Sequence, residues 1–384
     1  SSSSICQSNN CHIQIANLVR DYKLTSIYST KDRIPFQLVK PRSDQSSTYS
    51  TMSGPTAPSN SIDVDPYQHL QLILNADGTV THLAEIPNTP ATPDPSSPMP
   101  VLSKDIPLNQ SNNTWVRVFL PRQELDHSSS SPKLPLILYF HGGGFIRFGA
   151  ASSVFHEFCA TIAIQLHVIV VSVDYRLAPK HRLPAAYDDA MDALHWLKTT
   201  TEDEWLRNHA DLSNTFIMGT SAGGNIAYHA GLRACVEADD LEPLVIRGLI
   251  LHQPFFGGSQ RTESELRGND PVLPLSVSDL MWELSLPIVD RDHEYCNSTV
   301  EGGSQRLQKI KLLGWRVLVT GCDGDPLIDR QMELIAMMEE KGVVVESQFG
   351  KGGYHGEEIL SDQPSKAKAL CAVLKNFILS SLGG

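Results

Sequence analysis

The sequence has no apolar run approaching the roughly 18 to 20 residues that a membrane-spanning helix needs. Its most continuous apolar stretches, Leu134–Phe140 and 168–173, are far shorter. Positive charge is also scarce: 31 Lys and Arg against 43 Asp and Glu leave a formal net charge of -12 at pH 7. That balance argues against a phosphate-neutralising surface, so no nucleic-acid partner is expected. The seven cysteines (Cys6, Cys11, Cys159, Cys235, Cys296, Cys322 and Cys371) are an odd number and widely scattered. They form no C-x-x-C pair and no zinc-type spacing, which makes free thiols in a reducing compartment the simplest reading and leaves no metal site to expect. The N-terminus lacks the charged segment and following apolar stretch of a secretory signal. The sequons at Asn109, Asn112 and Asn297 are therefore expected to stay unglycosylated.

What is present is a globular composition, 41% hydrophobic and 19% charged over 384 residues, enough for one large core or two ordinary domains. Residues 1–60 differ from the rest, being Ser-rich with weak apolar periodicity, and are read as disordered or artefactual. Residues 1–51 carry six basic side chains against three acidic ones. Two readings fit: a plastid transit peptide on an otherwise cytoplasmic protein, or an over-extended reading frame ahead of Met52. Residues 61–384 are expected to form the folded domain.

From Asp65 onward two periods alternate. Short β-branched or aromatic runs at 79–83, 115–120, 136–140, 168–173, 215–218, 249–252, 316–319 and 343–349 predict eight strands. Apolar residues at three-and-four spacing predict helices over 152–166, 184–198, 224–238, 327–341 and 365–380. The expected fold class is α/β: an eight-stranded, mostly parallel sheet buried on both faces by helices, with antiparallel strands at the edge where the first runs follow one another without a helix.

Ligands of such sheets bind beyond the carboxyl ends of the strands. After the run 215–218 comes Gly219-Thr220-Ser221-Ala222-Gly223-Gly224, a G-x-S-x-G elbow in which small residues permit a very sharp turn and expose the Ser221 hydroxyl. After 136–140 comes His141-Gly142-Gly143-Gly144-Phe145, whose bare amides at Gly143 and Gly144, with that of Ala222, are candidate oxyanion donors. A serine nucleophile needs a base, and the base an orienting carboxylate. Of 14 histidines only His355 lies beyond His293, in Gly352-Gly353-Tyr354-His355-Gly356 after the last predicted strand. Three aspartates compete for the acid: Asp325, preferred because it immediately precedes Pro326 at a helix start; Asp323, the reserve; and Asp329, read as a first-turn helix residue. His156, His229 and His252 lack ligand spacing and are read as packing residues.

The set HGGGF, DYRLAPKHRLPAAYDD, GTSAGGN, GDPLID and GGYHG resembles the hormone-sensitive-lipase branch of the α/β-hydrolases, and within it the plant carboxylesterases of kiwifruit type, over about residues 66–382. The resemblance implies an α/β-hydrolase fold with a helical cap, and a carboxylesterase with nucleophile Ser221, acid Asp325, base His355 and oxyanion donors Gly143, Gly144 and Ala222. No cofactor is implied. The partner would be a small-molecule ester, and the protein a monomer or weak homodimer. Asp174, Tyr175, Arg176, Pro184, Tyr187, Asp188 and Asp189 match a segment that in the family braces the site from behind. The cap would fall at about 66–74 and 255–295, the second stretch containing Met281, Trp282, Leu284, Leu286 and Pro287. Phe145, Phe148 and Phe255 are candidate walls of the substrate pocket. Two positions depart from the family pattern: Lys180 where Glu is usual and Thr220 where Asp or Glu often stands. The scaffold also hosts dehydratases and cyclases of plant specialised metabolism, which retain these residues, and hormone receptors of the gibberellin type, in which the histidine is replaced; His355 speaks against the last.

Overall fold

Why the apolar runs become strands buried on both faces is visible in a computed structural model of the chain, which describes residues 64–126, 132–199, 203–268, 270–300, 304–361 and 363–382. The expectation for residues 1–60 lies outside the described residues.

A short helix, α1 (Pro66–Leu70), is started by Asp65, whose carboxylate accepts the Tyr67 amide at 3.0 Å, with Pro66 in the first turn where its missing N–H costs nothing. A two-stranded hairpin follows, β1 (Leu72–Leu74) with β2 (Val80–His82). The main sheet comprises β3 (Val101–Asn109), β4 (Thr114–Pro121), β5 (Leu134–Phe140), β6 (Ile169–Asp174), β7 (Ala210–Thr220), β8 (Ile246–His252), β9 (Arg316–Cys322) and β10 (Val344–Gly350). Their order is β10-β9-β8-β7-β5-β6-β4-β3. β3 pairs antiparallel with β4 and β4 antiparallel with β6, while the remaining pairs are parallel.

The sheet therefore has the eight strands expected, with one change of membership. The run 79–83 belongs to the separate hairpin, and its place is taken by β3, which strand patterning missed. Lys104, Asp105 and Pro107 interrupt its apolar character, as an edge strand tolerates. The antiparallel edge lies where it was expected.

Alternate residues of β5 serve two cores. Leu136, Leu138 and Phe140 join a cluster with α3 (Ala185–Thr199), α5 (Ala222–Ala234) and α9 (Ile328–Glu340), with α4 (Glu204–His209) and α8 (Ser304–Leu312) on the same side. Ile137 and Tyr139 point into a second cluster with α2 (Ser153–Leu166) and α11 (Pro364–Leu382). The sheet is thus sandwiched between helical layers, as a parallel sheet requires. The connection from β8 to α8 carries two more helices, α6 (Glu263–Leu266) and α7 (Leu275–Ser285); α10 (Glu357–Leu360) follows β10. α7 is tied to the start of α1 by the Ser276 hydroxyl, which donates to the Val64 carbonyl at 2.7 Å. No helix among the described residues is long and apolar enough to cross a membrane.

The DYRLAP stretch after β6 braces this framework. Asp189, wholly buried, takes the Arg176 amide at 2.8 Å and pairs with the Arg176 guanidinium at 2.7 Å. Two residues earlier on the same helix, the buried Tyr187 hydroxyl donates to Asn225 on α5 at 2.6 Å. Asn225 in turn donates to the carbonyls of Phe255 and Tyr295, at 3.0 and 2.8 Å. Asp189→Ala leaves a cation and an amide without their partner, and removal of one member of a buried pair costs about 3 kcal/mol or more. The expected outcome is a lowered urea midpoint with the slope retained, measured by far-ultraviolet circular dichroism.

Candidate active site

The elbow is built by two close backbone approaches. A Cβ on Gly219 would lie 1.9 Å from the Gly223 carbonyl oxygen, and one on Gly223 would lie 2.0 Å from that of Phe140. Only glycine lets β7 turn into α5 across a single residue and still pass beside β5. That residue is Ser221, at φ 55° and ψ -118°, a conformation costing a non-glycine residue about 1 to 3 kcal/mol. Its backbone is fixed on both sides: the Ser221 amide donates to His252 at 2.9 Å, and its carbonyl accepts from Phe255 at 2.9 Å. Thr220 does not face this site. Its hydroxyl is buried against the Tyr139 hydroxyl at 3.0 Å, so the residue that departs from the family pattern fills a slot in the sheet.

The glycine-rich loop passes directly beneath the elbow. Gly143 has φ +113°, and a Cβ there would meet the Arg147 carbonyl oxygen at 2.4 Å. Its carbonyl accepts the amides of Ile146 and Arg147, each at 3.1 Å, which curls the loop. Among the described residues the amides of Gly143 and Gly144 have no hydrogen-bond partner, the condition an anion-accepting pair needs. Ala222, fully buried at the first turn of α5, adds its amide at the positive end of that helix. His141 takes no part in this chemistry. It stacks on Tyr175 at 4.2 Å, and burial pushes its pKa down to about 4, keeping the ring neutral.

His355 reaches the elbow from the loop after β10. Its Nε2 lies 2.8 Å from Ser221 Oγ, and its Nδ1 lies 3.1 and 3.2 Å from the two carboxylate oxygens of Asp325. The three expected residues are thus brought together, although 134 positions separate serine from histidine. Asp325 also accepts the Leu327 amide at 2.9 Å at the start of α9, and Gln331 Nε2 at 2.9 Å. The competing aspartates face elsewhere: Asp323 accepts the Gly352 amide at the base of the histidine loop, and Asp329, in the first turn of α9, accepts the Ser264 amide at 2.8 Å. Burial opposes protonation of His355, but Asp325, by charge and hydrogen bond, with lesser help from Asp270 and Glu358, leaves its pKa raised above the usual imidazole value.

Phe145 and Phe255 meet in one aromatic group with Trp282 of α7. Phe255 stacks on Trp282 at 4.6 Å with planes 9° apart, and Phe145 lies 5.5 Å from Trp282. Phe148 packs edge-on against Phe155 at 5.4 Å, with its ring beside the glycine loop, where a Cβ on Gly143 would lie 2.7 Å from it. α7 also touches the glycine loop. A Cβ on Gly144 would strike Met281 Sδ, and the Ser285 hydroxyl donates to the Gly144 carbonyl at 3.2 Å. Arg182 closes the far end of α7 by donating to the carbonyls of Glu283 and Leu286, at 2.7 and 2.8 Å.

Sequence reasoning missed Gln331, Gln253 and Asp270. Gln253, fully buried with φ 45°, accepts the Gly356 amide at 2.7 Å, and Asp270 accepts the His355 amide at 2.8 Å. Only the position of Gln331, six residues after Asp325 on an adjoining helix, carried a signal in the sequence.

A serine elbow, a glycine loop and a histidine–aspartate pair beyond the strand ends of a sandwiched parallel sheet define the α/β-hydrolase class. A family model described as alpha/beta hydrolase fold matches residues 137–358. Carboxylesterase 20 of Arabidopsis thaliana is 53% identical over 83% of this chain and 98% of its own length. 3-O-acetylpapaveroxine carboxylesterase CXE2 of Papaver somniferum is 48% identical over 82% and 99%. At lower identity, 32%, the 2-hydroxyisoflavanone dehydratase of Glycine max covers 79% of this chain and 95% of its own. Among solved structures, an esterase of Pyrobaculum calidifontis superimposes with a TM-score of 0.59 at 25% identity, over 73% of this chain and 84% of that one. The chain belongs to the plant carboxylesterases of the hormone-sensitive-lipase-like α/β-hydrolase branch and is a carboxylic-ester hydrolase.

The elbow geometry separates two glycine substitutions. Gly223→Ala forces a methyl group onto the Phe140 and His141 carbonyls, while Gly314→Ala, at φ +68°, meets nothing within 4 Å. Only Gly314→Ala carries left-handed backbone strain, about 1 kcal/mol, so the comparison sets a clash at the elbow against mild strain in open space. The expected outcome is loss of ester hydrolysis in Gly223→Ala and wild-type turnover in Gly314→Ala, measured with p-nitrophenyl acetate.

Proposed function

We propose that the protein is a serine carboxylesterase that hydrolyses carboxylic esters of small acyl or aromatic substrates through an acyl-enzyme on Ser221. The observation that carries this reading is the unbroken line of hydrogen bonds from Ser221 Oγ through His355 to Asp325, beside the amides of Gly143 and Gly144, which have no partner among the described residues.

In the proposed reaction His355 Nε2 takes the hydroxyl proton as Ser221 Oγ attacks the ester carbonyl carbon. Asp325 holds Nδ1–H and stabilises the imidazolium that forms. The amides of Gly143, Gly144 and Ala222 receive the oxyanion, each worth about 2.7 to 4 kcal/mol. As the carbon–oxygen bond breaks, the departing alcohol takes the proton from Nε2 and the acyl group stays on Ser221. Water then gives its proton to His355 Nε2 as its oxygen attacks the acyl carbon; the carbon–Oγ bond breaks, Ser221 takes the proton back from Nε2, and the acid leaves. In this reading residues 66–74 and 255–295 act as the cap, and Phe145, Phe255 and Trp282 supply apolar surface against the substrate. One relative is named for a 3-O-acetyl substrate, which supports a small acyl group.

The dehydratase relative favours a second reading, in which the same residues move protons in an elimination or cyclisation. Hydrolysis assays separate the two. Wild-type protein is expected to hydrolyse p-nitrophenyl acetate and butyrate, and Ser221→Ala to lower turnover by about six orders of magnitude. An organophosphate should leave its adduct on the peptide containing Ser221. A folded wild type inert toward both esters would favour elimination instead.

The pH profile follows from His355. The base must be neutral to accept the serine proton, and its pKa is raised, so kcat/KM should be flat at higher pH and fall as pH drops through a value above 6.5. A midpoint below 6.5 in initial-rate measurements would contradict the electrostatics described.

A further inference from the structure

We propose that Asp270, in the segment between β8 and α8, is a positioning residue for ester hydrolysis: its carboxylate holds the backbone of His355 in place and so ties the covering segment to the readiness of the base. This rests on the proposed roles of Ser221, His355 and Asp325.

The two carboxylate oxygens of Asp270 do different things. Oδ1 accepts the amides of Val272 and Leu273, both at 2.8 Å, and folds its own loop just ahead of α7. Oδ2 crosses to the other loop and accepts the His355 amide at 2.8 Å. Both oxygens receive N–H donors, so a carboxylate satisfies the site and an amide side chain does not: one face of an asparagine would present its own NH2 to a donor. The next peptide is held from the core side, where Gln253 at the end of β8 accepts the Gly356 amide at 2.7 Å. The histidine is therefore gripped between the sheet and the cap segment, and the cap side of the grip is a single carboxylate.

Asp270 acts through His355 and not on substrate. The cavity beside it, lined among others by Leu273, Gly324 and Pro326, measures about 10 Å³, room for at most one water. Its charge nevertheless reaches the ring. The charged and titratable groups facing His355 are Asp325 from the loop after β9, Asp270 from the cap segment, Glu358 on α10 and His252 at the end of β8. Burial holds His252 neutral, so three carboxylates confront the imidazole and raise its affinity for a proton. Removal of Asp270 deletes one of them and loosens the peptide that carries the ring.

The test compares wild type with Asp270→Asn and Asp270→Ser in the full chain. Serine can keep the local turn through its hydroxyl but is too short and uncharged to serve His355. Kinetics with p-nitrophenyl acetate across pH, alongside urea midpoints, should show kcat reduced about 10- to 100-fold, KM changed less than about threefold, and the acid limb of kcat/KM displaced to lower pH. A folded variant with unchanged kcat and an unmoved limb overturns the proposal. So does a loss that is uniform in pH and carried by KM, which would make Asp270 part of the cap alone, or collapse of both variants, which would make it a folding residue. A wild type that fails to hydrolyse the ester instead removes the underlying assignment of the base.

Discussion

The structure depends on one turn in which a buried parallel strand becomes a helix across a single residue. β7 and α5 can follow so closely only because Gly219 and Gly223 let backbone meet backbone, and the strain of that turn is concentrated on Ser221. The helix start that relieves the chain also supplies the Ala222 amide, so the elbow presents a hydroxyl and a donor in the same stroke. Everything else at the site is arranged around this point. The glycine loop after β5 lies under it because β5 and β7 are neighbours, and the histidine loop reaches it across the ends of β8 and β9.

A second constraint is electrostatic. His355 and Asp325 are buried, and desolvation works against charge on the ring. The arrangement tolerates this because Asp325 is satisfied on every side, by the Leu327 amide, by Gln331 and by the imidazole. A carboxylate held in this way has a fixed position and keeps the histidine oriented, which a partly satisfied one would not. The neighbouring histidines illustrate the contrast. His141 and His229 have aromatic stacking partners, and burial drives their pKa values down to about 4 and about 3.

The segment between β8 and α8 is joined to the catalytic loops rather than laid over them. α7 presses Met281 on Gly144 and donates from Ser285 to its carbonyl, while Asp270 and Ser264 reach the histidine loop and α9. Such joints make the cover part of the framework that sets loop geometry, and Phe255 stacked on Trp282, with Phe145 tilted against both, binds it to the core with aromatic contacts worth about 0.5 to 1.5 kcal/mol each beyond their burial.

Much of this was legible in local sequence because local sterics dictate it. A strand ending in G-x-S-x-G, three successive glycines and a glycine-flanked histidine are compositions that only unusual backbone geometry requires, and strand–helix alternation sets the layered fold. The edge strand β3 escaped notice because an edge need not be apolar on both faces. Choosing among Asp323, Asp325 and Asp329 rested on one proline; what separates them in space is the direction each side chain takes as the chain enters α9. Gln253 and Asp270, which accept backbone amides of the histidine loop, and Gln331, which donates to Asp325, left almost no trace, since a buried polar residue that holds another segment has no period and no motif. By itself, then, the sequence determined the fold class and the chemistry available at the strand ends, which depend on near neighbours along the chain. Tertiary structure alone decided which polar groups hold that chemistry in register, because hydrogen bonds between segments 30 to 134 residues apart exist only once the sheet has brought the strand ends together.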